Sequence, residues 1–270
     1  MPSSTTGTAD RRGAPAGRFL PGPRPRRIAH RGLALEAPEN TLSAFQAAVD
    51  AGADLLETDT RATADGLALT VHDEDLQRIA GDPRRIDELT AAEAGAVRLA
   101  GDEPLAMLED VLEAFRDVPV NIDVKAPSAI GPAVAAIART RSADRVCIAG
   151  FDGSVARRTV RTVQAATGIL PVRSPARAVM ASFLAARAVE APDAVIGRLL
   201  APYGALQVPR TYQGYPIVTE ANIAAAHRAG CEVHVWTVDD PVTMRDLLVT
   251  GVDGIITNRV DLLSELLDAP

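Results

Sequence analysis

Glu57 and Asp59 lie two residues apart in the run LLETD, and Asp123 holds a similar place in NIDVK. In an extended strand that spacing puts both members of the first pair on one face, with Leu56 and Thr58 on the other. Asn121, Asp123 and Lys125 alternate in the same way with Ile122 and Val124. Strands of a parallel sheet are covered on both faces and default to Val/Ile/Leu runs, so these polar positions need a reason. Three carboxylates converging in a low dielectric repel unless they are protonated or neutralised. Hard divalent cations favour such oxygen ligands, which points to Mg²⁺ or Ca²⁺, with Mn²⁺ as a further option. A metal-free salt-bridge network, with Arg31 and Lys125 neutralising Glu57, Asp59 and Asp123, explains the carboxylates equally well.

Two histidines favour a functional reading. His30 ends one strand-like run and His72 follows another, and imidazole takes or gives a proton near neutral pH. A lone strand-end histidine is usually structural; two of them with three carboxylates, an arginine and a lysine form a constellation suited to catalysis. His227, between alanines on a helical stretch, reads as a surface residue, and His234 as a packed one. Trp236, the single tryptophan, shares a strand face with His234 and reads equally as a pocket-lining or a core-packed residue, and Gln207 before Pro209 is a weaker pocket candidate.

The elements that must position these groups come from alternation. From Arg27 onward, short apolar runs alternate with segments of helical period, the mark of βαβ units. Eight strands are expected: 27–31, 54–59, 120–125, 145–151, 168–172, 205–208, 232–238 and 254–257. This is an α/β chain, a (β/α)8 TIM barrel whose strand C-terminal ends carry the polar groups, the face where such barrels place their chemistry. Asn40 is the expected cap of a helix bearing Leu42, Phe45 and Val49, with Gly52 just past its end. Further helices are expected over 108–115, 219–229 and 241–249. Only twelve residues separate Asp59 from His72, too few for a crossover helix, and they include Asp65-Gly66. A hairpin insertion after the second strand therefore returns His72 beside Glu57 and Asp59.

Residues 1 to 27 hold six basic and one acidic residue and no apolar block, against 22 basic and 34 acidic in the remainder. Residues 1–26 are expected to be a disordered basic tail and 27–270 the barrel domain. An acidic body repels phosphate backbones, so nucleic acid is not an expected partner. No run approaches the roughly 18 apolar residues of a membrane span, so no stable membrane insertion is expected. Cys147 and Cys231 sit in apolar runs and read as buried thiols rather than a disulfide; a cytoplasmic location is the expectation.

The segments IAHRGLALEAPENTLSAFQ (28–46), GADLLETDTRATADGLALTVHDEDLQR (52–78), NIDVK (121–125), VHVWTVDD (233–240) and GVDGIITNRVDLL (251–263) together resemble the glycerophosphodiester phosphodiesterase family. The resemblance implies hydrolysis of small-molecule glycerophosphodiesters to glycerol 3-phosphate and an alcohol. It implies that His30 and His72 are the acid/base pair, that Glu57, Asp59 and Asp123 bind one divalent metal, and that Arg31 and Lys125 hold the phosphate. Trp236 and Gln207 would line the substrate pocket. Many family members have Glu where this chain has Asp123, which withdraws the carboxylate by about one methylene. The segment 173–203 matches poorly and is where substrate choice would be encoded. A close variant would prefer intact lysophospholipid, and a rival from another class is a catalytically silent phosphate-ligand sensor on the same barrel.

Overall fold

The computed structural model describes residues 19–212 and 214–269. Eight parallel strands run in the order Val172–Arg173, Val146–Ala149, Val120–Val124, Leu55–Ala62, Arg26–His30, Gly254–Thr257, Glu232–Trp236 and Ala205–Pro209. The two ends of that series approach each other where Gly204 N–H donates to Arg173 O at 3.1 Å, making a nearly closed barrel. Outward-facing residues such as Leu56, Ile122, Ile148 and Val235 are wholly buried under the surrounding helices. Each such side chain contributes on the order of 1.5–3 kcal/mol.

The lower barrel interior is filled by Phe19, Leu20, Ile28, Leu55, Cys147, Ala205 and Ile256. Among these apolar groups lies an ion pair: Arg26 Nε and Nη2 donate to the Glu232 carboxylate at 2.7 and 2.9 Å. His234 Nε2 lies 3.0 Å from the same carboxylate and meets Phe19 edge-on at 4.7 Å, so His234 is packed, as expected. Phe19 and Leu20 are buried although they fall in the expected tail, because Arg26 stacks over Phe19 and donates to Leu20 O at 2.6 Å. The expected disorder of residues 1–18 lies outside the described residues.

The hairpin forms as expected: Leu55–Ala62 pairs antiparallel with Ala68–Thr70, and Gly66 takes the positive φ the turn demands. Two local expectations are corrected. Asn40 is not the helix cap; it sits at φ 60 with its Oδ1 accepting from Thr58 Oγ1 at 2.7 Å. Thr41 caps the Leu42–Asp50 helix instead, its extended backbone letting Oγ1 accept from Ala44 N–H. The fifth strand is not 168–172 but Val172–Arg173, since Gly168 takes the left-handed C-cap of the Gly153–Thr167 helix. The helices expected over 108–115, 219–229 and 241–249 are Leu108–Ala114, Glu220–Arg228 and Pro241–Thr250. Cys147 and Cys231 are buried and form no disulfide. Among the described residues no helix is long and apolar enough to cross a membrane.

Candidate functional site

Register brings the polar residues to one end of the barrel. His30 pairs with Glu57 across adjacent strands, Glu57 with Asn121, and Asp59 with Asp123. Because side chains alternate, all of them face the interior at the strand C-terminal ends. The hairpin is tied back by Val71 N–H to Asp59 O at 3.0 Å and by Arg61 Nε to His72 O at 2.8 Å. His72 therefore stands over the rim. His30, Arg31, Glu57, Asp59, His72, Asp123, Lys125, Gln207 and Trp236 all line one cavity of about 650 Å³. Every sequence-derived site residue is thus brought together.

Lys125 organises the carboxylates. Its Nζ lies 2.7 Å from Asp59 Oδ1 and 2.6 Å from Asp123 Oδ2. Arg31 Nε lies 2.9 Å from Asp59 Oδ2, but the N–H is not aimed at that oxygen, and neither atom has a hydrogen-bond partner among the described residues. Burial pushes Asp59 upward, yet Lys125 and Arg31 outweigh it and hold this carboxyl below its ordinary range. Burial dominates at Asp123 and raises it. Glu57 goes well above the usual carboxylate range, first through burial and then through repulsion by Asp59 and Asp123. Both Glu57 and Asp123 are thus pushed toward their protonated forms, and Asp59 toward its ionised form.

The two histidines are anchored differently. Asn258 Nδ2 donates to Asp239 Oδ2 at 2.8 Å, which turns Asn258 Oδ1 toward His30 Nδ1 at 2.7 Å. His30 Nδ1 must then carry the proton, leaving Nε2 on the side of Glu57 Oε2, 3.9 Å away. Burial, then the Arg31 charge, lowers the His30 pKa and favours the neutral ring. His72 Nδ1 instead faces Asp73 Oδ1 at 2.7 Å, a carboxylate. Arg78 donates through Nε to Asp73 Oδ2 at 2.5 Å and through both Nη atoms to Glu39, which also accepts from Arg31 Nη1 at 3.0 Å. Arg78, Asp239 and Asn258 were not singled out from sequence. Asn258 lies in the conspicuous GVDGIITNRVDLL run, but nothing in its spacing reveals its partner 228 residues away.

Among the described residues no three His, Cys, Asp or Glu side chains stand at ligating separation, because Asp59 and Asp123 point at Lys125 rather than at one another. The donor chemistry nonetheless fits a hard dication. Three carboxyls share one rim, and the buried oxygens Glu57 Oε2 and Asp59 Oδ2 have no hydrogen-bond partner among the described residues. Deeper in the cavity Asn121 Nδ2 donates weakly to Gln207 Oε1 at 3.4 Å, while Asn121 Oδ1 and Gln207 Nε2 have no partner among the described residues. Such buried orphans are costly unless something else satisfies them.

The profile of the Glycerophosphoryl diester phosphodiesterase family matches residues 30–262. A Mycobacterium tuberculosis protein named "Probable glycerophosphodiester phosphodiesterase 2" is 37% identical over 258 residues, covering 95% of this chain and 96% of its own length. The crystal structure of a Thermotoga maritima glycerophosphodiester phosphodiesterase superposes with a TM-score of 0.67 at 26% identity, covering 88% of this chain and 96% of that one. An Oleispira antarctica phosphodiesterase, solved in complex with the product sn-glycerol-3-phosphate, has the same fold, with a TM-score of 0.71 at 19% identity over 90% of this chain and 96% of its own.

Proposed function

The chain belongs to the glycerophosphoryl diester phosphodiesterase family, and on that premise we propose that it hydrolyses glycerophosphodiesters to glycerol 3-phosphate and an alcohol, using a divalent cation and His30 and His72 as proton-transfer groups. The observation that carries this reading is the paired anchoring of two histidines by their Nδ1 atoms at one cavity that also holds Asp59, Asp123, Lys125 and Arg31.

A phosphodiester is anionic, so its oxygens need cationic partners. Arg31 offers a planar fork to two oxygens and Lys125 a point charge. Glu57, Asp59 and Asp123 would hold the dication, Mg²⁺ or Ca²⁺ by their hard oxygen donors, which when bound supplies further positive charge to the phosphate. His30, held neutral by burial, takes the proton from the attacking oxygen. That oxygen is the neighbouring glycerol hydroxyl, giving a cyclic phosphate that water then opens. His72, with the Asp73 carboxylate behind it, protonates the departing alcohol. The unpartnered Asn121 Oδ1 and Gln207 Nε2 bind substrate hydroxyls, and Trp236 packs against the carbon skeleton. Oleispira's product complex shows that a barrel of this shape accommodates glycerol 3-phosphate, which supports this substrate class.

Turnover of glycerophosphocholine, followed by glycerol 3-phosphate release with EDTA and with Mg²⁺, Ca²⁺ or Mn²⁺ restored, tests the proposal. Release that chelation suppresses and one of the cations restores is expected. Activity indifferent to chelation removes the cation from the mechanism, and no cleavage of any glycerophosphodiester removes the function.

A further inference from the structure

Arg31 and Lys125, two cations of the cavity lining, lie against Asp59 and Asp123. Arg177 lines the same cavity and makes no ion pair or hydrogen bond among the described residues. Its guanidinium stands 4.7 Å from the Phe151 ring centroid, exposed at the mouth. Stacking on a ring leaves the in-plane fork of N–H donors free. Lys125 Nζ lies 5.8 Å from the same centroid, so the two cations are no further apart than the sum of those distances. Asp152, next to Phe151 in sequence, is committed elsewhere, accepting from Ser154 N–H at 2.7 Å as the cap of the Gly153–Thr167 helix. In a chain of net charge −7, Arg177 is a cation with no carboxylate set against it among the described residues.

Arg177 also opens a helix that begins without a side-chain cap. The Arg177–Ala188 helix follows Ala176, which has no side-chain oxygen to offer the first N–H groups. Val179 and Met180 N–H turn back to Ala176 O at 3.0 and 3.3 Å, while the N–H groups of Arg177 and Ala178 donate to nothing among the described residues. Such an end carries positive partial charge and favours an anion. Ser174 supplies an independent sign of a ligand. Val172 packs into the barrel interior, and Ser174, two residues on, shares its side of the strand. Ser174 is 4% exposed and lines the cavity, and its hydroxyl has no hydrogen-bond partner among the described residues. A buried hydroxyl aimed into a cavity calls for a partner there. Residues 174–178 thus gather a guanidinium, two backbone N–H groups and a hydroxyl on one stretch of the lining.

We propose that residues 174–178 form a second anion subsite, so that the preferred glycerophosphodiesters are those whose leaving alcohol carries a carboxylate or phosphate group. The inference rests on the phosphodiesterase reading of the polar pole. There Asn121 and Gln207 take the glycerol hydroxyls and Arg31 and Lys125 the scissile phosphate, which leaves the mouth to the alcohol. Across the Phe151 ring, Arg177 presents its fork to two oxygens of the second anion. A cationic alcohol such as choline instead meets Arg177 and Lys125 over the ring on which it would stack, and is disfavoured. The subsite falls within 173–203, the segment where substrate choice is expected to be encoded.

Three esters of glycerol 3-phosphate test it on the cation-supplied enzyme: with 4-hydroxybutanoate, with its isosteric amide, and with the monophosphate of butane-1,4-diol. The spacer keeps the acidity of the leaving oxygen alike. For one or both anionic esters kcat/KM is expected to exceed that of the amide about tenfold, the low end for hydrogen bonds to a charged group because Arg177 is exposed. Which anion gains more distinguishes carboxylate from phosphate. Arg177→Gln is expected to bring the ratio close to one, Arg177→Lys to restore part of it, and Ser174→Ala to lower it about two- to threefold. Each ratio is taken within one variant, so a loss of folded enzyme cancels. Wild-type ratios of one or below, or ratios that survive Arg177→Gln, overturn the subsite and leave the phosphodiesterase standing. Should no diester be cleaved, binding decides through the fluorescence of Trp236, the only tryptophan, whose ring meets Phe151 edge-on at 5.9 Å. Tighter binding of the anionic esters that Arg177→Gln abolishes upholds the subsite while the catalytic reading falls, and equal binding of all three ends both.

Discussion

Asp73 Oδ1 lies 2.7 Å from His72 Nδ1, and the same carboxylate is pinned on its other oxygen by Arg78. Burial pushes Asp73 upward, but the bonds from His72 and Arg78 outweigh it and hold this carboxyl ionised below its usual range. The ring is thereby fixed with Nδ1 protonated and Nε2 available at the cavity. Arg78 also spans to Glu39, which grips Arg31, so the hairpin carrying His72 and the loop carrying Arg31 are joined by one side chain.

Asp73→Asn is therefore expected to lower kcat about 10- to 100-fold with little change in KM, because an amide can present N–H to Nδ1 and favour the wrong tautomer. Arg78→Gln is expected to act in the same direction more weakly. Steady-state kinetics on glycerophosphocholine decides, and a kcat for Asp73→Asn equal to wild type contradicts the positioning role.

His30→Ala and His72→Ala are each expected to reduce kcat by about 10²- to 10⁴-fold, the usual range for lost proton transfer, with melting temperature nearly unchanged. Neither histidine carries the core. Near-normal turnover by one variant would remove that residue from the chemistry.

Dication binding is expected to raise the melting temperature, since Glu57 and the rest of the carboxyl group gain a counter-charge that Lys125 and Arg31 supply only in part. At a hundredfold excess over Kd the gain is about 2.7 kcal/mol. Asp59→Asn or Glu57→Gln should abolish most of it. A thermal shift with Mg²⁺ or Ca²⁺ that both variants retain would place the cation elsewhere.

The other end of the barrel predicts acid sensitivity. Burial alone would raise Glu232, but the bonds from Arg26 and His234 bring it down to about 2 from an ordinary 4.5. A depressed carboxyl stabilises the fold above its unfolded value and loses that contribution as pH falls through the folded one. Stability is thus expected to drop by about 3 kcal/mol between pH 4.5 and 2 from this group. Arg26→Met, which strands a buried carboxylate, is expected to cost about 3–5 kcal/mol at neutral pH. Denaturant melts across that pH range check both, and a Glu232→Gln variant with an unchanged acid slope would refute the first.

Much of this site follows from local pattern. Two-residue spacing at Glu57/Asp59 and at Asn121/Asp123/Lys125 is enough to put those groups on one strand face, and the short Asp65-Gly66 connection is enough to bring His72 back, because pleat and chain length are properties of contiguous residues. Motifs in family order add the functional class. Tertiary structure alone decided the rest. Asn258 reaching His30, Arg78 bridging Asp73 to Glu39, and Lys125 standing between Asp59 and Asp123 are side-chain choices among several charged neighbours. Hydrophobic periodicity is silent on such choices. Asn40 and Gly168 were misplaced for a related reason: residues that tolerate positive φ serve caps, turns and strand ends alike, and only the packed neighbours select one use. Met180 and Leu184 of the Arg177–Ala188 helix pack against the core beside Phe183 and also line the cavity. Whether such a face meets protein, cavity or both depends on what the fold brings opposite it.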